Sequence, residues 1–473
     1  MMKSILMLLP ELGLIAFISA LFMRTLFEKR FHHKITSHMA IIFSLAVVVA
    51  SILAFNLSGS VFMKSYEINH ASQLFKLLLS VLLFVVILLS GKAQAIPRGQ
   101  KTEYLIFLAC ATLGMMILVS ANEFLLFYIA LELVAYSTYV MIPFRKDPRA
   151  AEASIKYIIL GATTSAILIY GISLVAGIAR STYFADILLV APSLFPNPLF
   201  MIGCLFILCG IFFKLSLFPF HFWAPDVYEV APTSVVTFLA TSSKATAAFM
   251  LIKVLATLGS PAILTPILIT LAVLSMTLGN ATAILQKDLK RLFAYSSIAQ
   301  SGYIMVAALV MNQEANQSVI FYVICYAIMN LAAFLVIILI GRSMATNNPQ
   351  ASDLNGLSKR SPLLAFLLLV SVLSLAGIPP LAGFAGKWFL FASAVQAGYS
   401  WLVLFAVINS VISLYYYLIL VKHAYVDKAT LEAPIDLDYR YKAVVVCILG
   451  LLLSIGVYPT LLMDLATIAA NSI

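Results

Sequence analysis

The chain has 473 residues, 63% of them hydrophobic and 10% charged, with 29 Lys and Arg against 19 Asp and Glu for a formal charge of +10. Soluble domains carry about 25% charged residues, so a soluble fold is excluded; repeated apolar runs of about 20 residues match helices crossing a bilayer of about 30 Å. The basic excess does not indicate a nucleic-acid partner, because these residues lie in short connections between apolar runs, where they report topology.

The first run, MMKSILMLLPELGLIAFISALFMR, is too long for a signal-peptide core and continues into RTLFEKRFHHK without an A-x-A site. It is expected to be a retained membrane helix with Glu11 at the interface. Fourteen spans are expected, near 4–23, 38–58, 74–91, 104–120, 121–143, 153–178, 199–232, 234–257, 262–285, 289–311, 317–341, 362–397, 399–421 and 442–460. The expected fold is an all-α polytopic membrane protein forming one membrane domain. It divides into an N-terminal three-helix segment (1–103), two five-helix repeats (104–257 and 262–421) and a C-terminal helix within 422–473. The cysteines Cys110, Cys204, Cys209, Cys325 and Cys447 fall in apolar runs without CxxC or His-paired spacing, which reads as small core hydrophobes. No haem, iron–sulfur, flavin or nucleotide motif is present, so any redox chemistry belongs to a partner.

With the N-terminus outside, the inner connections are 24–37, 91–103, 144–156, 286–291, 342–361 and 422–442, and they hold 21 of the 29 Lys and Arg. That segregation satisfies the positive-inside rule and requires an even number of spans. Of the others, Lys3, Lys64, Lys76 and Arg180 fall at or near outer ends of spans, and Lys253 is expected to snorkel outward. Lys422 and His423 mark an interfacial helix end.

Two segments, 199–232 and 362–397, are too long for one crossing and too short for two. Pro219 and Pro225 interrupt the first, in GIFFKLSLFPFHFWAPDVYEVAPT; Pro379 and Pro380 interrupt the second, in LSLAGIPPLAGFAGKWF. As spans seven and twelve they run in opposite directions, the arrangement of inverted-topology repeats in transporters. Backbone broken at membrane depth is tolerated where it is buried in protein or lines a hydrated cavity.

Four ionisable residues fall near span centres: Glu132, Lys214, Lys244 and Lys387. Each costs roughly 2.5–3.5 kcal/mol there, and one acid cannot neutralise three lysines, so structural ion pairing does not account for the set. A lysine in a low-dielectric site can shed its proton near neutral pH. A carboxylate at about 4 Å opposes that by roughly 4 kcal/mol at an effective dielectric of 20. Making or breaking a Glu132–Lys214 pair would therefore switch the lysine, a role arginine cannot take. His221, Asp226 and Glu229, on the inner side of the first break, fit either a proton entrance or caps of the half-helices. Ser296, Ser297, Gln300 and Ser301 in AYSSIAQSGY are either polar glue between helices or part of a path.

PFHFWAPDVYEVAPT (219–233), KRLFAYSSIAQSGY (290–303) and LAGIPPLAGFAGKW (375–388) together resemble the antiporter-like membrane subunits of respiratory complex I, the NADH–quinone oxidoreductase. The resemblance covers essentially the whole chain. It implies that Glu132, Lys214, Lys244 and Lys387 carry proton translocation. The lysine at 387, rather than glutamate, points to one of the three subunit types, and a long C-terminal amphipathic helix found in another type has no room here. Many relatives have histidine where this chain has Gln300, so a relay there would need water or a neighbouring side chain. The resemblance also implies a lipid-embedded membrane arm of other subunits and a peripheral arm holding FMN and iron–sulfur clusters, in which NADH reduces quinone. The expected compartment is the bacterial inner membrane, with both termini periplasmic. A subunit of a multisubunit cation/proton antiporter is the alternative of shared ancestry, and a passive scaffold with vestigial charges a third; co-purifying NADH-oxidising subunits would separate the first two. A reporter active only in the periplasm, fused after Ile473, is expected to be active; activity of a cytoplasm-only reporter there would reverse the topology.

Overall fold

The computed structural model describes residues 2–27, 33–91, 96–259, 264–429 and 433–473. The basic residues Lys29, Arg30 and Lys92, counted above in inner connections, lie outside them. The N-terminal segment comprises α1 (Met2–Met7), α2 (Leu9–Phe27), α3 (His33–Ala54), a hairpin of β1 (Gly59–Val61) and β2 (Tyr66–Ile68), and α4 (His70–Ser90). There follow α5 (Lys101–Ser120), α6 (Phe124–Met141), α7 (Pro148–Ala179), α8 (Phe184–Leu194), α9 (Pro198–Leu215), α10 (Trp223–Val230), α11 (Thr233–Phe238) and α12 (Lys244–Leu258). The second half holds α13 (Thr265–Ala283), α14 (Leu289–Ala308), α15 (Gln313–Ser343), α16 (Leu357–Arg360), α17 (Pro362–Ala376), α18 (Ala382–Gln396) and α19 (Ser400–Tyr425). The chain closes with α20 (Tyr439–Val457) and α21 (Thr460–Ala470).

The all-α membrane architecture is as expected, with two additions that hydropathy does not mark: the small antiparallel hairpin and the short helices α8 and α21. Among the described residues, 12 helices are long and apolar enough to span a bilayer. The two further expected spans fail that test for opposite reasons. α14 is long but rich in serine, and 362–397 is divided into α17 and α18, of 15 residues each. Burial ranks the spans: Thr233–Leu258 and Gln313–Ser343 are 94% buried and form the centre, whereas Tyr439–Val457 at 22% lies on the flank. Cys447 on that flank is exposed and so is not a core residue.

Each long broken segment ends its first half-helix in the same way. After Leu215, Ser216 takes a left-handed conformation (φ 54°), and the Leu217 amide closes back onto Phe212 O at 3.0 Å. After Ala376, Gly377 (φ 88°) is followed by Ile378, whose amide donates to Leu373 O at 3.1 Å. This six-to-one closure satisfies one orphan carbonyl and leaves the last ones aimed onward. Both termini pack at one end of the molecule. Met7 clusters with Tyr66 and Ile68, and Asn69 Nδ2 donates to Ser472 O at 2.8 Å.

A Cβ on Gly377 would adopt a left-handed backbone and sit 3.0 Å from Lys387 Cδ. Gly377→Ala is therefore expected to destabilise by about 1–2 kcal/mol. Gly450, with nothing within 4 Å of its Cβ position, is expected to accept alanine without loss. Thermal unfolding of the detergent-solubilised assembly compares the two.

Candidate functional site

The carbonyls left free at the two breaks find the same partners. At the first, Leu215 O accepts from Lys244 Nζ and, at 2.7 Å, from Ser301 Oγ, while Lys244 Nζ and Ser301 Oγ lie 3.2 Å apart. At the second, Ala376 O accepts from Lys387 Nζ at 3.1 Å and from Ser410 Oγ at 3.0 Å, with Lys387 Nζ to Ser410 Oγ at 2.9 Å. Each is a closed triangle of ammonium, hydroxyl and helix-terminal carbonyl. Cations are favoured at helix C-termini by the aligned peptide dipoles, and the buried setting strengthens the attraction. Lys244 follows a widened turn, Leu239–Ser243; such turns re-aim side chains within a helix.

α14 links the triangles. Ser301 touches the first break, and its neighbour Gln300 donates through Nε2 to Leu375 O at 3.1 Å, one residue from the second. Tyr322 OH donates to Gln300 Oε1. Tyr303, one turn on, accepts from Asn280 Nδ2 at 3.0 Å and offers its ring face to Lys387 Nζ, 4.6 Å from the centroid. Of the serines of AYSSIAQSGY, Ser301 is thus part of the site, whereas Ser297 bonds Ala294 O of its own helix and Ser296 joins Tyr417 on α19; Gln300 holds an amide bridge where a titrating side chain was considered.

Lys214 is placed differently. It is 8% exposed, yet its Nζ has no hydrogen-bond partner. It lies among the rings of Tyr139, Tyr157 and Phe213, 5.7–5.8 Å from their centroids, at distances where the aromatic quadrupole attracts a cation. The Glu132 carboxylate accepts from Ser165 Oγ on α7. Glu132 and Lys214 therefore do not pair directly in this structure. Lys214 borders a cavity of about 20 Å³ lined also by Leu131, Val134, Ser243 and Thr246, room for about one water molecule.

On the inner side of the first break, Arg291 Nη1 reaches Glu229 at 2.6 Å and Asp226 at 3.2 Å, and Lys156 Nζ reaches Asp226 at 3.4 Å. These partly exposed ion pairs tie α10 to α14 and α7. His221 is half-buried between Phe218 and Phe222, with Nδ1 unpartnered. Among the described residues, no three His, Cys, Asp or Glu side chains gather as a metal site.

Position along the chain missed the burial of four groups. Glu11 is buried in protein, and Lys76, in the second turn of α4, is fully buried 2.6 Å from it. Lys253 does not snorkel: it is 8% exposed and donates to Ala121 O at 2.7 Å. Lys290, counted in an inner turn, is 0% exposed and donates to Ala231 O at 3.0 Å. Ala121 and Ala231 are the C-caps of α5 and α10, so helix-end carbonyls draw in these lysines too. Ser165 and Ser410 were missed because a serine in an apolar run carries no distinguishing signal.

The broken helices and buried lysines define an antiporter-like, multi-pass membrane subunit. The profile of the NADH:quinone oxidoreductase/Mrp antiporter transmembrane family matches residues 121–413. NADH-quinone oxidoreductase subunit N 2 of Solidesulfovibrio magneticus is 39% identical over 99% of both chains, and its counterpart in Syntrophobacter fumaroxidans is 41% identical over 84% of both. A chain of respiratory complex I from Thermus thermophilus superposes with a TM-score of 0.84 at 31% identity, covering 97% of this chain and 99% of that one. A chain of the Mrp complex from Dietzia sp. shares the fold, with a TM-score of 0.88 at 17% identity, 100% of this chain and 97% of that one being covered. The chain belongs to the NADH:quinone oxidoreductase/Mrp antiporter family and, within it, to the subunit N group of NADH–quinone oxidoreductase.

Lys244→Met leaves the Leu215 carbonyl to Ser301 alone and is expected to destabilise by about 1–3 kcal/mol. Lys214→Met removes a buried cation with no acceptor, and stability is expected to hold or rise. Unfolding temperatures of the two assembled variants, compared with the unsubstituted complex, check the contrast.

Proposed function

We propose that this chain is a proton-translocating membrane-arm subunit of an NADH:quinone oxidoreductase. It moves protons from cytoplasm to periplasm while other subunits oxidise NADH and reduce quinone. The observation that carries the reading is the pair of ammonium–hydroxyl–carbonyl triangles at two helix breaks, bridged by Gln300 and Ser301, beside a lysine with no hydrogen-bond partner. The chain supplies no redox motif; NADH, FMN, iron–sulfur clusters and quinone are held by partner subunits, with other membrane-arm subunits alongside in the lipid. The greater identity to subunit N chains favours this reading over a cation/proton antiporter, for which the fold likeness alone speaks.

In this reading Glu132, Lys214, Lys244 and Lys387 carry the proton. Segments 104–257 and 262–421 act as inverted repeats, each contributing a broken helix. Protons enter from the cytoplasm past His221 and the Asp226–Glu229–Arg291 cluster, and reach Lys214. When Glu132 swings from Ser165 to Lys214, it holds the ammonium form; when it returns, the lysine among its three rings loses charge stabilisation and passes its proton on. Lys244 and Lys387 accept in turn, their ammonium forms stabilised by the same carbonyls that orient them. Gln300 does not titrate, so the relay between breaks runs through water or Tyr322. The chain lies in the bacterial inner membrane with both termini periplasmic, a placement supported by the basic connections and by the packing of Met7 and Ser472 at one end.

Lys214→Arg separates charge from titration, because a guanidinium stays protonated after desolvation by several units. Measured as proton uptake per NADH oxidised together with the quinone-reductase rate, in membranes where assembly is confirmed, Arg is expected to fail nearly as badly as Ala. Near-normal pumping by the Arg variant would assign Lys214 to helix packing. Glu132→Gln is expected to assemble and lose proton-coupled turnover; unchanged pumping there would leave the switch without its counter-ion.

A further inference from the structure

A second group of buried charges lies at the opposite end of the first half from the Arg291 cluster, and the relay just described does not use it. Glu11 on α2, Tyr66 on β2, Lys76 on α4 and Lys253 on α12 are each between 0% and 8% exposed. Lys76 Nζ stands 2.6 Å from Glu11 Oε1, which also accepts from Tyr66 OH, and Lys76 lies 5.0 Å from the Tyr66 ring centroid. Tyr66 bridges to Ala121, whose carbonyl takes the Lys253 ammonium at 2.7 Å. Phe75 and Phe249, whose ring centroids are 4.4 Å apart, join α4 to α12 near these lysines. Glu67, partly exposed on β2, is the further acid facing Lys253.

Two features set this group apart from an ordinary ion pair that docks helices. Several buried polar atoms here lack protein partners: Glu11 Oε2, Gln73 Oε1 and Ser120 Oγ. Such atoms are hydrated in folded proteins. The group also has access on two sides. Glu11, Ser65 and Tyr66 form the polar edge, beside the hairpin, of a groove of about 310 Å³ whose other walls are apolar. Inward, the small cavity beside Lys214 runs along α5 and α12 as far as Leu118 and Met250, one turn short of Ala121 and Lys253. Its lining here is Met115, Leu118, Phe127, Leu131 and Met250, an apolar neck of the kind that gates by dewetting.

Resting on the proton-carrying role of Lys214 above, we propose that Lys253, Lys76, Glu11 and Tyr66 form an outward proton-release site for the first repeat, closed from Lys214 by this apolar neck. The Lys253 ammonium passes its proton to a neutral Lys76 amine, and Lys76 passes its own to the Glu11 carboxylate. The Glu11 carboxyl then gives that proton to water at the polar edge of the groove and returns to carboxylate. Water that fills the neck when it wets carries the next proton from Lys214 to the Lys253 amine. A proton can thus leave on the outer side without crossing to Lys387, and Tyr66 positions the Glu11 carboxylate.

The test uses the whole complex, reconstituted into vesicles after assembly is confirmed, with proton translocation per NADH as the readout. Lys253→Arg keeps the cation and the bond to Ala121 O, so a purely capping lysine tolerates it; Lys253→Met is its comparison. Glu11→Gln with Lys76→Met removes both charges together, which a structural pair also tolerates. We expect Lys253→Arg and the double variant each to lose translocation to the extent of Lys253→Met. Unimpaired translocation by either one overturns the release site, and failure of one to assemble leaves the other decisive. Lys214→Arg run in parallel separates the two ideas. Loss there with normal Lys253→Arg sinks the release site alone, whereas normal Lys214→Arg sinks the reading on which it rests.

Discussion

A carbonyl that ends a helix inside a bilayer must find a donor, because no lipid can supply one. This chain breaks two long helices at membrane depth and so creates several such carbonyls within one core. Lysine ammonium groups meet that need at Leu215, Ala376, Ala121 and Ala231. The arrangement runs both ways: the carbonyl is satisfied, and the lysine gains a negative helix end in place of a carboxylate. Two of the three lysines that face one acid in the membrane interior, Lys244 and Lys387, are therefore not unpaired charges. They are capped by backbone, and backbone does not titrate.

Lys214 is the exception. Its aromatic cage attracts a cation without fixing it in one hydrogen-bond geometry, and its acid partner is held by Ser165. A group with several weak partners and no strong one can change state at small cost, whereas Lys244 and Lys387 are each held by a carbonyl and a hydroxyl. The unpartnered lysine and the two capped ones are the elements from which the proposed relay is built. α14 links the two capped ones. Its serines and Gln300 make it too polar to resemble a span by hydropathy, and two of those groups, Ser301 and Gln300, satisfy the helix ends on either side of it.

Buried charge away from these residues follows the same economy of partners. Glu11 and Lys76 neutralise each other where α2 meets α4, and Tyr66 from the hairpin completes the contact. A buried pair is weak evidence for stability, since matching apolar residues often serve as well. Its placement between a groove beside the hairpin and the neck above Lys214 is what gives it a role to be tested.

Read alone, the sequence determined the membrane class, the two helix breaks and the four ionisable residues at span centres. Each of these is a local signal: an apolar run of bilayer length, a proline pair, a charge where insertion is costly. The short hairpin, α8 and α21 were not legible, because brief elements carry too little periodicity to stand out from loops. Lys76, Lys253 and Lys290 were assigned to helix ends by position along the chain, yet they turn inward because helix-terminal carbonyls and Glu11 wait there. Those partners lie on other helices, up to 132 residues away for Lys253 and Ala121. Nor does spacing reveal that Ser301 and Ser410 complete matching triangles, since a serine in an apolar run looks the same whether it bonds its own helix or a neighbour's. Local chemistry decided which groups enter the membrane; only the packing of distant helices decided which of them have partners, because a buried polar group is satisfied in three dimensions and not along the chain.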